Sequence, residues 1–351
     1  MSRIVTLGEI MARLAAPGHY RFQQAMPGAL DVTFAGAEAS VAMSIAYLGG
    51  DAAFVTALPD HALADACVAN LKSVGVQTRH ILRTEKGRLG LFFLESGANQ
   101  RASQVIYDRE GSAVAMTPAS AYDWSAIFEG AEWFLISGIT PAISRNAAEV
   151  AETAMREASS RGVKVACDMN FRSKLWQWEP GLSARELATR TMRSLMPWVD
   201  LFIGGKEDAA QMLGIESNEL DPEELARQIT VQYPRMQYVA MTLREGLSAT
   251  HHYWGGLLYD VAKGQISGAP MQDGQYQPYE IKDAVDRLGG GDAFTAGLLY
   301  ALTSPELREV AVSFATAASC LAHSIQGDFN YCSRAEIEAL MAGDSAGRVK
   351  R

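Results

Sequence analysis

The sequence predicts an α/β protein, with one mostly parallel sheet covered by helices on both faces and a small β structure lying over it. Three observations carry this expectation. Apolar runs of strand length alternate with longer helical stretches, the pattern of successive β-α-β units. Polar or glycine residues follow directly on several of the apolar runs, where ligands collect in parallel sheets. One segment, residues 88–108, breaks the alternation with two extended stretches around Ser96-Gly97-Ala98-Asn99, which reads as a hairpin.

Taken in order, Ile4 to Leu7 is a short apolar run closed by Gly8 and is the first strand. Residues 16–33 carry Pro17, Gly18, Pro27 and Gly28 without a helical period, and read as an excursion from the main sheet. Phe34 to Leu48 begins with small residues, becomes periodic and apolar, and stops at Gly49-Gly50, as a capped helix does. Ala52 to Leu58 is the next strand, and Asp60 is expected to cap a helix running through Leu63, Cys67 and Leu71 to Gly75. After the hairpin the alternation returns. Trp133 to Ser137 is a strand, and Ser144 caps a helix ending near Gly162. Val163 to Cys167 delivers Asp168-Met169-Asn170-Phe171-Arg172, Leu201 to Ile203 delivers Gly204 to Asp208, and Tyr238 to Thr242 delivers Leu243-Arg244-Glu245. The expected organisation is one domain over 1–343, a small sheet from about 11–35 and 86–116, and a loose tail over 344–351.

Composition narrows the function. The 351 residues are 48% apolar and 20% charged, globular values, and no apolar run approaches the roughly 18 to 20 residues of a membrane span. The beginning reads as a strand and not as a signal peptide, so a cytoplasmic protein is expected. Cys67, Cys167, Cys320 and Cys332 are widely separated and the histidines lack metal-ligand spacing, so neither a disulfide framework nor a structural metal is indicated. With a net charge of −9 and no basic block, nucleic acid is not an expected partner. An anionic ligand must be held by locally placed arginines. The apolar hairpin is of a kind that pairs with its own copy, so a homo-oligomer is expected.

The chemistry concentrates in Asp286-Arg287-Leu288-Gly289-Gly290-Gly291-Asp292-Ala293-Phe294, between an extended run and a helical one. Residues without Cβ let main-chain N–H groups approach a ligand, and the first helical turn adds open donors and a positive dipole end. Such a turn stabilises an anion. Asp292 at its mouth suits a base that takes a hydroxyl proton during attack on phosphorus; it equally suits a simple N-cap, and the residues alone leave both readings open. No G-x-x-x-x-G-K-[ST] and no G-x-G-x-x-G occurs, which removes the P-loop and dinucleotide folds. Arg109 and Arg172 at strand ends suit a bidentate clamp for a carboxylate, although a single arginine is more often a surface residue. The small-sided stretch Ser313 to His323 fits either a flat adenine or close helix packing.

The glycine turn followed by Asp, a small residue and Phe resembles the second signature of the ribokinase-like (PfkB) carbohydrate kinases, with Gly290 where Ala is usual. Gly8-Glu9-Ile10-Met11, Gly36-Ala37-Glu38, Val105 to Arg109, Ser137 to Pro141, Asp168 to Arg172, Thr242 to Glu245, Asp286-Arg287 and Gly327-Asp328-Phe329 resemble the 2-keto-3-deoxygluconate kinase branch. The resemblance implies a ribokinase-like fold, ATP and Mg²⁺ as cofactors, and phosphorylation of the 6-hydroxyl of that sugar acid. Asp292 would be the general base, and Gly289, Gly290 and Gly291 the anion hole. Arg109 and Arg172 would hold the carboxylate, with Gly36, Ala37, Ser40, Phe92, Tyr107, Ile139, Asp168 and Asn170 around the sugar. Thr242, Arg244 and Glu245 would lie near the phosphates and Ala318 and His323 near the adenine. Glu207 and Asp208 would help place Mg²⁺. Asp286 and the Leu288 carbonyl occupy positions that bind a monovalent cation such as K⁺ in some relatives. Ala35, Ser40, Phe92, Gly205 and Asp208 depart from the family pattern. These departures keep open a kinase of fructose, ribose or a nucleoside, and a weakened sugar-acid sensor.

Overall fold

The computed structural model describes residues 2–216 and 220–344; the expected tail beyond Asp344 lies outside the described residues. Its strands in chain order are β1 (Arg3–Leu7), β2 (Met11–Ala15), β3 (Asp31–Ala35), β4 (Ala52–Pro59), β5 (Ile81–Thr84), β6 (Gly90–Glu95), β7 (Gln104–Asp108) and β8 (Ala131–Ser137). They continue with β9 (Lys164–Asp168), β10 (Leu201–Ile203), β11 (Tyr238–Gly246), β12 (His252–Asp260), β13 (Gln265–Ala269), β14 (Met271–Gln272), β15 (Gln275–Tyr276) and β16 (Tyr279–Ile281). The large sheet runs β13-β12-β11-β10-β9-β8-β1-β4-β5, with β16 on β12. It is parallel from β5 to β11 and antiparallel beyond.

The central strands are mostly apolar because successive side chains enter two different cores. Ile4, Phe54 and Leu135 pack with the helices Ala37–Tyr47, Gly290–Thr303 and Ala311–Ala322. Val5, Leu7, Val55, Phe134 and Ile136 pack on the opposite face with Arg145–Ser160, Ala184–Leu195 and Pro222–Gln232. Each fully buried side chain of this size contributes roughly 1.5 to 3 kcal/mol. These two layers fix the strand ends that carry the site.

A separate sheet, β3-β2-β6-β7, stands at the C-terminal edge of the large one. Its inner face buries Met11, Ala35, Phe92 and Leu94, and Leu288 of the glycine turn packs against them. The opposite face is apolar as well, with Ala12 buried, Leu14, Phe34 and Leu91 half-buried against the main core and Val32 and Ile106 exposed, while β7 alternates exposed with half-buried positions.

Several local expectations need correction. Asp60 does not cap its helix: His61 does, its Nδ1 accepting the Ala64 N–H at 3.3 Å. Leu243, Arg244 and Glu245 do not follow a strand end. β11 continues through them because β12 returns alongside and supplies main-chain partners, pairing them with Gly255, Trp254 and Tyr253. The small-sided stretch is explained by helix packing, since a Cβ at Gly297 would fall 2.9 Å from Ala315 Cα. Asp292 is not an N-cap either: the N-cap is Gly289 and Asp292 lies within the first turn.

Candidate active site

Gly289 has φ 81, in the left-handed region where a side chain is strained, and a Cβ there would come within 2.2 Å of the Asp328 carbonyl oxygen. The first main-chain bond of the helix runs from the Ala293 N–H to the Gly289 carbonyl, 2.8 Å. The N–H groups of Gly290, Gly291 and Asp292 are therefore the open donors of the first turn. A Cβ at Gly291 would meet nothing within 4 Å, and the residue lines a cavity. Gly290 is constrained from behind, where its Cβ would strike the His323 ring.

This turn forms one wall of a cavity of about 300 Å³ at the ends of β1, β3, β9 and β10 and against the middle of β11. Gly289, Gly291 and Asp292 share it with Gly36, Ala37, Phe92, Tyr107, Arg109, Ile139, Asp168, Asn170, Arg172, Asp208, Thr242 and Leu288. Gly36 admits the closest approach, since a Cβ there would sit 2.1 Å from the Glu9 carbonyl oxygen. A second cavity of about 550 Å³ adjoins the first, sharing Tyr107, Arg172, Arg287 and Leu288, and extends past Asp286 to Lys174, Arg244, Glu207, Thr250 and Ala284. Its cationic lining suits a polyphosphate on a chain whose net charge is negative.

Not every expected residue faces these cavities. Ser40 is fully buried one turn into its helix, and its hydroxyl has no partner. Ala318 is fully buried against Gly297 and His323 is 3% exposed behind Gly290; both belong to helix packing, and His323 Nδ1 meets the Ser319 carbonyl at 2.7 Å. Glu245 is exposed and lines a third cavity with Arg244 and Tyr276. Both Asp208 oxygens accept main-chain N–H groups, from Phe171 at 3.0 Å and Gly205 at 2.8 Å, while Glu207 is exposed. Among the described residues no group of three or more His, Cys, Asp or Glu side chains is arranged to hold a metal ion.

Residues without an assigned role in the sequence reading prove central. Glu9 Oε2 accepts both Nε and Nη2 of Arg109, the former at 2.7 Å, in a pair that is almost wholly buried. Tyr107 lies beneath that guanidinium, 5.6 Å from ring centre to Cζ. Glu9 Oε1 is buried without a partner and its residue lines the cavity. Glu38 accepts Ser137 N–H, Ser137 hydroxyl and Thr140 hydroxyl at 2.7–2.9 Å, tying the helix Ala37–Tyr47 to β8. Their signal was position: each acid stands one or two residues past a glycine that follows a strand end.

The cavity is strongly acidic. Burial raises Asp292 well above the ordinary carboxylate range, with Asp168, Asp328 and Glu38 pushing the same way and Arg172 opposing. Burial, then the charge of Asp208, raises Asp168 to about 7, while a 3.1 Å hydrogen bond from Thr295 opposes this. Arg172 is exposed at the rim. Asn170 has φ 40, a left-handed backbone uncommon for any residue but glycine, and one that marks functional turns.

An open helix N-terminus on one wall, an acid with a raised pKa beside it and a cationic groove leading in are an arrangement suited to an anionic ligand, on a ribokinase-like fold. The family model described as pfkB family carbohydrate kinase matches residues 1–332, and the chain belongs to that family; it is a carbohydrate kinase. The 2-dehydro-3-deoxygalactonokinase of Haloferax volcanii is 31% identical over 348 residues, covering 99% of this chain and 98% of that protein. The crystal structure of 2-dehydro-3-deoxygluconokinase from Thermotoga maritima is similar with a TM-score of 0.88 at 40% identity, over 97% of this chain and 98% of that one. A PfkB family carbohydrate kinase from Listeria grayi follows with 0.87 at 34% identity, over 97% and 99%.

Proposed function

We propose that this kinase transfers the γ-phosphoryl group of ATP to the 6-hydroxyl of 2-keto-3-deoxygluconate, with Asp292 as general base. The observation that carries the reading is the position of Asp292 beside the open N–H groups of its own turn, on a cavity that Arg109 and Arg172 also line. The sugar acid lies in the smaller cavity, its carboxylate toward Arg172 and Arg109. The nucleotide occupies the larger one, its phosphates among Lys174, Arg244 and Arg287 and its γ-phosphoryl reaching Gly289 to Gly291 on the smaller one. The hydroxyl oxygen bonds to phosphorus, the bond to the β,γ-bridging oxygen breaks, ADP departs, and the proton passes to Asp292. The N–H groups of Gly290 and Gly291 stabilise charge on the migrating group without reorganising. The raised pKa suits this role, because burial and the neighbouring carboxylates make Asp292 a stronger base than an ordinary carboxylate.

Mg²⁺ fits this lining in a limited way: Asp208 and Glu207 supply carboxylates near the groove, and Mg²⁺ is commonly held by one or two such groups, waters and the substrate phosphates. When bound it would neutralise phosphate charge. The small sheet acts as a lid that keeps water from the donor, supported by the packing of Leu288 against its inner face. Exposed Val32 and Ile106 on that sheet support a homo-oligomer, which sedimentation would test.

The Haloferax relative's name favours a second reading, the galacto epimer of the same acid. An ADP-release assay over both epimers, gluconate, fructose, ribose and a nucleoside separates them. Turnover confined to the keto-deoxy acids is expected. Preference for a neutral sugar would reject the carboxylate role of the arginines, and ligand binding with no ADP release would indicate a sensor.

A further inference from the structure

The second strand of the small sheet carries an arginine with almost no access to solvent. Arg13 is 2% exposed, and its guanidinium reaches the glycine turn. Nη2 donates to Asp286 Oδ2 at 2.5 Å and Nη1 donates to Asp328 Oδ1. Asp286 is filled further by main chain: Oδ1 accepts the Leu288 N–H and Oδ2 the Gly327 N–H, each at 3.1 Å. Asp328 in turn presses its carbonyl against Gly289. The two segments that shape the anion cradle, 286–289 and 327–328, thus converge on one guanidinium.

Asp286 and the Leu288 carbonyl occupy positions that, by resemblance, bind a monovalent cation in some relatives, and here the lining does not fit one. The Asp286 carboxylate is already neutralised by Arg13 and hydrogen-bonded at both oxygens. A second cation beside it would face the guanidinium charge.

We propose that Arg13 is a built-in counter-cation that positions the Gly289–Asp292 cradle in place of a bound monovalent ion, so that turnover does not depend on K⁺ or Na⁺. The inference rests on the reading of that turn as the anion hole. Two carboxylates crowded into a buried site need a positive partner, and the planar fork of an arginine serves both at once. Unlike an ion, it is held at fixed concentration by the chain. Because β2 belongs to the small sheet, the same contact couples seating of that sheet to formation of the turn. Arg13 acts through Asp286, Asp328 and the turn, and is a positioning residue.

The test compares wild-type protein in the chlorides of K⁺, Na⁺ and tetramethylammonium at equal ionic strength, reading turnover and unfolding temperature. Equal values in all three are expected; a K⁺-specific rise in either overturns the proposal, since an ion that binds the folded state stabilises it. In Arg13→Ala, kcat should fall roughly 10- to 100-fold, the scale of a small misplacement of catalytic groups, with the sugar-acid KM little changed. Added K⁺ or dilute guanidinium should restore part of it. A folded Arg13→Ala with undiminished kcat, or a loss that neither cation repairs, overturns the counter-cation role. If Arg13→Ala does not fold, Arg13→Lys, which keeps the charge and loses the fork, is read in the same way. If no sugar is turned over, the proposed function fails, while the unfolding temperature in K⁺ still decides this inference.

Discussion

Asp292 and the two arginines of the clamp make different demands on their surroundings. Asp292→Asn removes the proton acceptor and keeps the shape, so kcat should fall roughly 10²- to 10⁴-fold while nucleotide binding, followed by calorimetry, changes little. Because burial and neighbouring carboxylates raise the Asp292 pKa, the acid limb of kcat/KM should lie above the usual carboxylate range. Activity is lost as pH falls through that raised value, and a limb near pH 4 would reject the assignment. The arginines are not equivalent. Arg109 is locked to Glu9 in a buried pair, and Arg109→Ala would leave Glu9 uncompensated, costing about 3 to 5 kcal/mol of stability. Arg172 is exposed and carries no ion pair among the described contacts, so Arg172→Ala should raise the sugar-acid KM roughly 10- to 100-fold without lowering the unfolding temperature. A neutral-sugar analogue should be indifferent to that change. Equal loss on both substrates would remove Arg172 from carboxylate binding.

At the level of elements, the glycine turn separates stability from function. Gly289→Ala places a Cβ against the Asp328 carbonyl at a positive φ, so it should lower both turnover and unfolding temperature. Gly291→Ala meets nothing in the ligand-free protein and replaces a poor helix residue by the best one, a gain of at most about 1 kcal/mol. Its methyl group nevertheless points to where the migrating phosphoryl group would rest, so kcat should drop sharply in a protein that melts no lower than wild type. Undiminished turnover in Gly291→Ala would place the phosphoryl group elsewhere. The turn was legible because glycine and aspartate in a strand-to-helix junction have few structural substitutes. The contacts of Arg13, Glu9 and Glu38 were not, since their partners lie 315, 100 and 99 residues away in the chain and no local pattern announces such pairs. Strands β12 and β13 were likewise passed over. β12 is almost continuously buried through Gly255-Gly256, and glycines within a run look like a turn until a sheet and helix are seen to need the room: a Cβ at Gly256 would strike Phe294.

For the molecule as a whole, the buried acids couple folding to pH. The parallel sheet and its two cores were readable from unbroken apolar runs, but the gathering of acids from distant strand ends follows only from the topology. A carboxyl whose folded pKa exceeds its unfolded one holds a proton that the unfolded chain has released, so its contribution to stability is present at low pH and is lost as pH rises through the folded value. For Asp168 that window runs from its ordinary value of 3.8 to about 7. His252 works in the opposite direction: burial lowers it to about 4, so the unfolded chain binds the extra proton between there and its ordinary 6.5, and stability rises with pH. The net slope of wild type is therefore no test, and the difference between wild type and Asp168→Asn is. Asparagine can keep the contact with Thr295 and has no proton to lose, so the variant's unfolding temperature should gain on wild type steadily from about pH 4 to pH 7 and hold that gain above. A gain that does not change with pH would mean that Asp168 is charged throughout, and that the cavity is far better solvated than its depth in the strand ends requires.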